Sequence, residues 1–265
     1  MTMLEVSQQG HIVTLTINRP DMRNALGEPG DGQVFFETIA KINADRNIRC
    51  VILTGAGSAF SAGGNIKAMQ NREVPFKGPA MHVADGYRRG IHQIVKSLWG
   101  LEVPAIAAVN GPAIGLGNDV ACLCDIRIAS EKAIFGATFL KIGLIPGDGG
   151  AWLLPRIIGS ARASELLFTG NTVSAETALD WGLVSQVVSD DKLLETAHDM
   201  ANDIVRQSSE SLRAAKRLMR HGQTSGFETV MEMSANAQAL MHVSEDHLEA
   251  VSAMFEKRPA EYQDK

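Results

Sequence analysis

The sequence predicts an α/β fold with a helical C-terminal region, and three features indicate it. Short apolar runs such as Ala105–Val109, typical of strands buried on both faces, alternate with segments of helical periodicity. Loops of glycine and other small residues follow several of these runs. Beyond Trp152, helical segments follow one another with a single strand-like interruption. We therefore expect an α/β core over residues 1–200 and a helical region over residues 201–265.

The predicted strands and helices alternate through most of the core, an order typical of right-handed crossovers. The strands are apolar or alternating runs at residues 12–17, 50–53, 105–109, 126–129, 133–136 and 184–188. The helices are predicted at residues 84–98, 118–124, 160–167, 174–181, 190–208, 209–221 and 226–254, with two more from about residues 34 and 151. Residues 70–80 are rich in helix breakers and predict a mobile loop.

The stretch from Pro104 to Ser130 combines a strand, a small-residue turn, a helix and a second strand. The turn Gly115-Leu116-Gly117 opens the helix, whose first amides have no partner within it and can hold an anion. Asp119, in the first helical turn, can reach an anion bound to these amides. An amide that polarises a carbonyl group and a carboxylate base beside it are the fewest groups that can catalyse a reaction of a carbonyl compound. The alternative is that Asp119 only complements the helix dipole.

Two other loops have the same character. The segment GSAFSAGGNIKAM, residues 57–69, nearly matches the G-x-S-x-G motif of serine hydrolases, with Ala59 in place of the first glycine. No motif joins the histidines to this loop, so a serine nucleophile is not favoured. The loop at residues 143–150 contains Asp148, which either caps the following helix or takes part in catalysis.

Composition limits the classes of function. The net charge of −5 gives no basic footprint and argues against nucleic-acid binding. No apolar run approaches the ~20 residues of a membrane span, and the N-terminus has no charged-then-apolar leader. Cys50, Cys122 and Cys124 have apolar neighbours and are predicted to be buried free thiols, typical of a reducing cytoplasm. The Cys122-x-Cys124 pair lacks the partners of a zinc site, so no metal is expected.

Seven segments, in order, resemble blocks of the crotonase family, also called the enoyl-CoA hydratase/isomerase family. They are NRPDMRNAL, GSAFSAGGNIKAM, PAIAAVNGPAIGLGND, CDIRIAS, IGLIPGDGG, LFTGNTVSAETALDWGLVSQVV and FEKR, and the match runs from about Leu4 to Lys257. The resemblance implies a spiral core of repeated ββα turns and a helical C-terminal region that builds trimers, often paired into hexamers. It also implies an acyl-CoA thioester as substrate, with coenzyme A as part of that substrate and no further cofactor.

The same resemblance implies roles for individual residues. The backbone amides of Ala62 and Leu116 would form an oxyanion hole for the thioester enolate. The residues that match the family's CoA and substrate contacts are Arg23, Ala25, Gly64, Asn65, Ile66, Ile114, Gly115 and Phe139. Lys257 matches a C-terminal lysine that reaches the CoA phosphate of a neighbouring subunit.

The sequence departs from the family's hydratases at the catalytic positions. Those enzymes carry two glutamates that position water and exchange its proton. Asp119 stands at the first position, and Phe139, which cannot act as an acid or base, stands at the second. Asp148 is the remaining candidate. It follows the position, here Gly147, where some isomerases and hydrolases of the family place an aspartate.

We therefore expect hydration or double-bond isomerisation of an enoyl-CoA, catalysed by Asp119 and Asp148. Apolar neighbours such as Phe139 and Ile114 should raise the pKa of Asp119 and suit it to proton transfer. The alternatives are a CoA-thioester hydrolase or decarboxylase of the same family, or a CoA-binding protein with weak catalysis.

Overall fold

The computed structural model describes residues 2–263, in which nine strands form two sheets. They are β1 (Leu4–Gln9), β2 (Ile12–Ile17), β3 (Cys50–Gly55), β4 (Ala105–Val109), β5 (Ala113–Ile114), β6 (Ile126–Ser130), β7 (Ile134–Gly136), β8 (Thr172–Ser174) and β9 (Gln186–Val188). The large sheet has the order β1-β2-β3-β4-β6-β9, and the small sheet has the order β5-β7-β8. In the large sheet β1 pairs antiparallel with β2 and the other pairs are parallel, so they need crossover connections.

Within residues 2–263, eleven α-helices supply the crossovers and the C-terminal region. They are α1 (Asp31–Ala44), α2 (Ile66–Gln70), α3 (Ala80–Arg89), α4 (Ile91–Trp99), α5 (Leu116–Leu123), α6 (Gly150–Thr169), α7 (Ala175–Asp180), α8 (Leu193–Val205), α9 (Ser209–Gly222), α10 (Phe227–His242) and α11 (Glu245–Glu256). Short 3-10 helices lie at Pro20–Met22, Thr138–Ile142 and Asp190–Lys192. None of the helices in this described range is long and apolar enough to cross a membrane.

The central strands β3 and β4 are buried on both faces, which explains their uninterrupted apolar sequence. In β3, Val51 and Leu53 face the main hydrophobic core, whereas Cys50 and Ile52 face the side covered by α8. Because side chains alternate between the faces of a strand, both sets must be apolar. The structure confirms both strands that were predicted from these runs.

Helix α8 covers the second face of the large sheet. Leu193, Ala197 and Ala201 recur along one side of the helix and pack with Ile106 and Ile128 of the sheet. Helix α8 also crosses the boundary that we expected at residue 200. We also expected the core to begin at residue 1 and the helical region to end at residue 265. Residue 1 and residues 264–265 lie outside the described residues.

Two helices predicted as continuous are each divided in the structure. The predicted helix at residues 84–98 becomes α3 and α4, because Gly90 has a non-helical φ of −108° and ψ of −90°. The predicted helix at residues 226–254 becomes α10 and α11, because Ser244 accepts a hydrogen bond from the His247 amide at 3.2 Å and caps a new helix. The sequence analysis missed β1, β5 and β8, since β1 is mostly exposed and the other two are very short.

The C-terminal helices are attached to the core through Arg213 of α9, which is fully buried. Its guanidinium donates to the carbonyl oxygens of Asn43 and Asp45 at 3.2 Å and of Ile48 at 3.4 Å. It also pairs with Glu102 at 2.8 Å. The three carbonyl groups belong to the end of α1 and the turn before β3, so one side chain joins α9 to both elements.

Helices α10 and α11 leave apolar side chains uncovered. Helix α10 has no buried residue. The exposed large apolar side chains of this region are Phe227, Met231, Leu240, Val243, Leu248, Val251, Met254 and Phe255. Such a set of exposed apolar side chains is typical of an interaction surface.

Replacing Arg213 should loosen the attachment of α9. We expect Arg213→Ala to lower the free energy of unfolding by about 3 kcal/mol, because three carbonyl groups and Glu102 lose a charged partner. Arg217→Ala changes an exposed arginine of the same helix and should cost less than about 0.5 kcal/mol. Chemical denaturation at equal protein concentration measures both, and equal stabilities of the two variants would contradict this role.

Candidate active site

Asp119 lies in the first turn of α5 and is fully buried. Its Oδ2 accepts a hydrogen bond from the Gly150 amide at 2.9 Å, and its Oδ1 accepts a longer one from Asn118 at 3.4 Å. Gly150 is the first residue of α6, so α5 and α6 meet at this carboxyl group. A Cβ atom on Gly150 would lie 2.5 Å from Oδ1, which explains the glycine.

Asp148 lies in the loop before α6 and is 5% exposed. Helix α6 starts after Gly149 without a side-chain cap, so the capping interpretation of Asp148 does not hold. Its carboxyl group makes no hydrogen bond with the residues that the structure describes. Its negative charge nevertheless acts on Asp119 and on Tyr87, and it raises the pKa of both. Asp148 therefore lies within electrostatic reach of Asp119 and of Tyr87.

The two carboxyl groups differ in acidity. Burial raises the pKa of Asp119 to about 8, and the charge of Asp148 adds to this, against hydrogen bonds from Gly150 and Asn118. The raised pKa predicted for Asp119 is confirmed. Burial raises the pKa of Asp148 to about 6, and the charge of His92 opposes that shift. At neutral pH the pair therefore holds one acid, Asp119, and one base, Asp148.

One of the two backbone amides predicted for the oxyanion hole is not free. The Ala62 amide donates to the Arg23 carbonyl oxygen at 2.9 Å, so it is not free to hold an oxyanion. This corrects the assignment of Ala62 to an oxyanion hole. The amide of Gly64, in the same loop, and the predicted amide of Leu116 have no acceptor among residues 2–263.

A short backbone pairing brings the loops of these two amides together. Ser61 bridges Ala113, and the Ile114 amide donates to the Ser61 carbonyl oxygen at 3.0 Å. A Cβ atom on Gly63, which has a φ of +85°, would lie 2.4 Å from the Ile114 carbonyl oxygen and 3.3 Å from the Leu116 nitrogen. Only glycine suits such a contact. The amide that follows Gly63 therefore lies near the amide of Leu116.

Phe139 lies beside the same turn and forms an apolar wall. It is buried in the 3-10 helix Thr138–Ile142, and its ring lies 3.7 Å from where a Cβ atom on Gly115 would be. Gly115 has a φ of +55° and precedes α5. Because a phenyl ring neither donates nor accepts a proton, this side of the site supplies no acid or base.

A cavity of about 880 Å³ adjoins the site, and most of its lining is apolar, including Ile66, Met69, Phe76, Val83, Tyr87 and Leu144. Phe76 and Tyr87 pack edge to face with their ring centroids 6.3 Å apart. The Met69 methyl group lies 2.8 Å from where a Cβ atom on Gly64 would be. Two lining residues therefore connect the cavity to the site, since Met69 lies next to Gly64 and Tyr87 lies within electrostatic reach of Asp148. Its size and lining suit a small-molecule ligand.

The remaining predicted contacts lie in loops and in the C-terminal helices. Arg23 is exposed with a φ of +49°, and Ala25 is buried. Asn65 caps α2 through its side chain, and Ile66 is 60% exposed at the start of that helix. Lys257 ends α11, which packs on α10, so it lies with the C-terminal helices.

Three residues near the acids were not predicted from the sequence. The Nε2 of His92 lies 2.9 Å from the Gly147 carbonyl oxygen, and Tyr87 packs against the His92 ring. Asn118 is fully buried, and its Oδ1 has no partner within the described residues. No motif marks His92 or Tyr87, which lie on α4 and α3. The position of Asn118 next to Asp119 was the one available signal.

Cysteine and histidine side chains do not form a further site. No group of three or more His, Cys, Asp or Glu side chains in the part of the chain that the structure describes is arranged to hold a metal ion. Cys50, Cys122 and Cys124 are buried free thiols, as predicted. Burial raises the pKa of each thiol to about 12, which makes them unreactive.

The site combines two buried carboxyl groups, free backbone amides and an apolar cavity. This combination is typical of an enzyme that transfers protons on a carbonyl compound. A sequence model of the family Enoyl-CoA hydratase/isomerase matches residues 7–265. A 1,2-epoxyphenylacetyl-CoA isomerase of Escherichia coli K12 is 38% identical over 251 residues, which cover 95% of this chain and 94% of that one. A short-chain-enoyl-CoA hydratase of Clostridium acetobutylicum is 35% identical over 259 residues, which cover 97% and 95%.

Solved structures agree with this match. An enoyl-CoA hydratase from Bacillus anthracis superimposes with a TM-score of 0.93 at 33% identity and with all of both chains covered. The chain belongs to the enoyl-CoA hydratase/isomerase family, the crotonase family, whose members use CoA thioesters. It is an enzyme of the hydratase/isomerase class. The family resemblance, the crotonase-type α/β fold and the enzyme class predicted from the sequence are confirmed.

The glycine at position 150 allows Asp119 to approach α6. We expect Gly150→Ala to lower enoyl-CoA turnover at least ~100-fold, because the added Cβ would collide with Oδ1 and displace the carboxyl group. Gly147→Ala is the control, since the nearest neighbour of its Cβ is the Ile145 carbonyl oxygen at 3.8 Å. Its turnover should change less than about threefold. Steady-state kinetics on folded variants measure both, and similar losses in the two would refute the collision.

Proposed function

We propose that the protein moves the double bond of an enoyl-CoA by a 1,3-proton shift, with Asp148 as the base and Asp119 as the acid. The observation that carries this proposal is the unequal acidity of the two buried carboxyl groups, which leaves one proton on the pair at neutral pH. The relative named 1,2-epoxyphenylacetyl-CoA isomerase supports a reaction that rearranges a CoA thioester and adds no atom to it.

The shift needs a base and an acid, and no atom is added to the substrate. With a 3-enoyl-CoA, the Asp148 carboxylate takes a proton from the α carbon, and the electron pair moves onto the thioester oxygen as a dienolate. The Asp119 carboxyl group gives its proton to the γ carbon, and the double bond moves to the 2-position. The proton on Asp148 then passes to Asp119, which has the higher pKa, and the pair regains its starting state.

We assign the thioester oxygen to the amides of Gly64 and Leu116. Both lack an acceptor among the described residues, and the contact of Gly63 with Leu116 brings them close. One preorganised donor of this kind contributes about 3–4 kcal/mol to stabilisation of the transition state. A structure with a bound acyl-CoA analogue tests the assignment. A thioester oxygen within about 3.2 Å of both amides supports it, whereas an oxygen bound at Ala62 rejects it.

We also propose that the CoA nucleotide lies along the loop of Arg23 and Ala25 and the start of α2, at Asn65 and Ile66. The family resemblance of these positions motivates this proposal, and the exposure of Arg23 leaves its charge free to meet a phosphate. The contact would be with an exposed cation and therefore weakened by salt. The same acyl-CoA complex tests it, since a nucleotide bound elsewhere would remove the assignment.

Hydration is the second candidate, because relatives named hydratases also match almost the whole chain. In that reaction the Asp148 carboxylate would activate a water molecule, and Asp119 would protonate the α carbon. Phe139 argues against it. An apolar ring occupies the position of the second glutamate and offers a water molecule no hydrogen bond.

The two carboxyl groups should be visible in the pH dependence of turnover. Because Asp148 must be ionised and Asp119 protonated, we expect kcat/KM to fall below a pH of about 6 and above a pH of about 8. Asp119→Asn and Asp148→Asn should each lower turnover at least ~100-fold without lowering the melting temperature. Wild-type turnover in Asp148→Asn would restrict the chemistry to one carboxyl group.

Product analysis in heavy water, with a panel of 2- and 3-enoyl-CoA thioesters, separates the reactions in the same experiment. An isomerase shifts the double bond and adds no oxygen. A hydratase gives a 3-hydroxyacyl-CoA with deuterium on the α carbon. We expect the shifted product by mass spectrometry; a 3-hydroxyacyl product favours hydration, and unchanged bound ligand indicates a CoA-binding protein.

We propose that the C-terminal region, residues 201–265, assembles the chain into a trimer or a dimer of trimers. The eight exposed large apolar side chains of α10, α11 and the turn between them support this, since few monomers leave such a set uncovered. In such an assembly Lys257, at the end of α11, would be available to the CoA phosphate of a neighbouring subunit.

Light scattering at micromolar concentration should therefore give about three or six times the mass of one chain. Leu240→Glu should lower this mass, because it places a charge on the exposed apolar surface of α10. Gln238→Glu adds the same charge at an exposed polar position of the same helix and should leave the mass unchanged. A wild-type monomer would end the proposal.

A further inference from the structure

We infer that His92 is a positioning residue, which holds the Gly147 carbonyl group and thereby directs the Asp148 carboxyl group toward Asp119. The inference rests on the proposed function, in which Asp148 carries a proton. It concerns a residue of α4 that no motif links to the site and that lies 55 positions from Gly147 in the chain.

The contact between His92 and Gly147 has one chemical interpretation. The Nε2 of His92 lies 2.9 Å from the Gly147 carbonyl oxygen, and a carbonyl oxygen can only accept. Nε2 must therefore carry the proton. His92 is half-buried at the second position of α4. A helix of the core therefore holds the carbonyl group of Gly147, which belongs to the same loop as Asp148.

The loop around Asp148 has few other restraints. Gly147 and Gly149 flank Asp148, and Gly149 has a φ of +112°. The carboxyl group itself makes no hydrogen bond with the described residues. The loop backbone is held by the bond from the Gly147 amide to the Ile145 carbonyl oxygen at 2.7 Å, by the start of α6, and by His92. His92 is thus the side chain that joins this glycine-rich loop to α4.

The His92 ring is itself held in place. Tyr87 of α3 packs edge to face against it, with the ring centroids 5.9 Å apart and the planes at 70°. Tyr87 in turn contacts Phe76 at the wall of the cavity. The other titratable groups within electrostatic reach of Asp148 are Tyr87 of α3 and Asp119 of α5.

His92 therefore acts on Asp148 in two separable ways. The hydrogen bond to Gly147 fixes the loop, and the charge of the imidazole lowers the pKa of Asp148 against the effect of burial. Glutamine can place its Nε2 close to that of histidine and donate the bond without a charge. Leucine keeps the bulk and supplies neither. His92→Gln and His92→Leu thus separate the two effects, and His82→Gln on exposed surface of α3 is the control.

We expect His92→Leu to lower kcat at least ~10-fold with KM nearly unchanged, because the proton carrier and not the CoA site is displaced. His92→Gln should restore kcat to within about threefold of wild type at its own optimum. In both variants the limb of the pH profile that belongs to Asp148 should move to higher pH, by about half a unit or more. His82→Gln should match wild type. A wild-type kcat and pH profile in His92→Leu would overturn the inference.

A purely structural role predicts the opposite shift. If loss of His92 only loosened the loop, water would reach Asp148 and its pKa would fall toward the ordinary value. The pH limb would then move to lower pH in His92→Leu and keep its wild-type position in His92→Gln, which retains the bond to Gly147. That pattern would refute the charge effect, whereas a kcat that glutamine does not restore would overturn the positioning role.

Carboxyl carbon-13 NMR tests the inference without a substrate. The Asp148 resonance is identified by its absence in Asp148→Asn, and its titration midpoint should rise in His92→Gln and His92→Leu. An unchanged or lower midpoint would refute the charge effect even if turnover were normal. If wild type turns over no enoyl-CoA, the proposed function fails, while a raised midpoint would still support the placement of His92.

Discussion

The site depends on the way that Asn24 joins two neighbouring loops. Asn24 is fully buried in the left-handed region, with a φ of +57° that asparagine tolerates, and its Nδ2 donates to the carbonyl oxygens of Ala56 at 2.8 Å and Ala59 at 2.7 Å. Its own carbonyl oxygen accepts from Ser61 Oγ at 2.8 Å. The Ala62 amide donates to the Arg23 carbonyl oxygen, and the Gly63 amide donates to Ser61 Oγ at 3.2 Å. The Gly64 amide, which comes next, has no acceptor among residues 2–263 and is left to face a ligand.

Burial of Asp119 makes the stability of the fold depend on pH and also keeps this residue protonated for catalysis. Burial raises the pKa of Asp119 from the ordinary 3.8 to about 8, so the folded state binds its proton more tightly than the unfolded chain does. The stability that this group contributes is complete below a pH of about 4 and is lost as the pH rises through about 8. At neutral pH part of it is already lost. The same shift leaves a carboxylic acid that can donate a proton beside an ionised Asp148.

Features of the structure that depend on the identity of side chains could be predicted from the sequence. Buried strands, with apolar residues on both faces, could be predicted from the residues alone, and Asp119 could be proposed from its place at the start of a helix. The residues alone left Asp148 either a helix cap or a catalytic group, and the family resemblance made it a candidate for the site. The Ala62 amide was assigned wrongly, because a backbone donor carries no sequence signal and its acceptor, the Arg23 carbonyl group, belongs to another loop. His92 could not be found for a related reason. Its bond to a carbonyl group 55 positions away needs no particular residue there.

The second carboxyl group determines which reaction the common scaffold supports. Free amides that hold a thioester oxygen stabilise an enolate whatever the next step is. The fate of that enolate depends on where proton carriers stand around the carbons of the acyl group. Here the wall beside Gly115 is the ring of Phe139, and the second carboxyl group comes from the loop before α6. A carboxylate on a glycine-rich loop has a fixed position only if other residues hold the loop backbone. The reaction type proposed for this chain therefore depends on the hydrogen bond from His92 of α4 to the Gly147 carbonyl group.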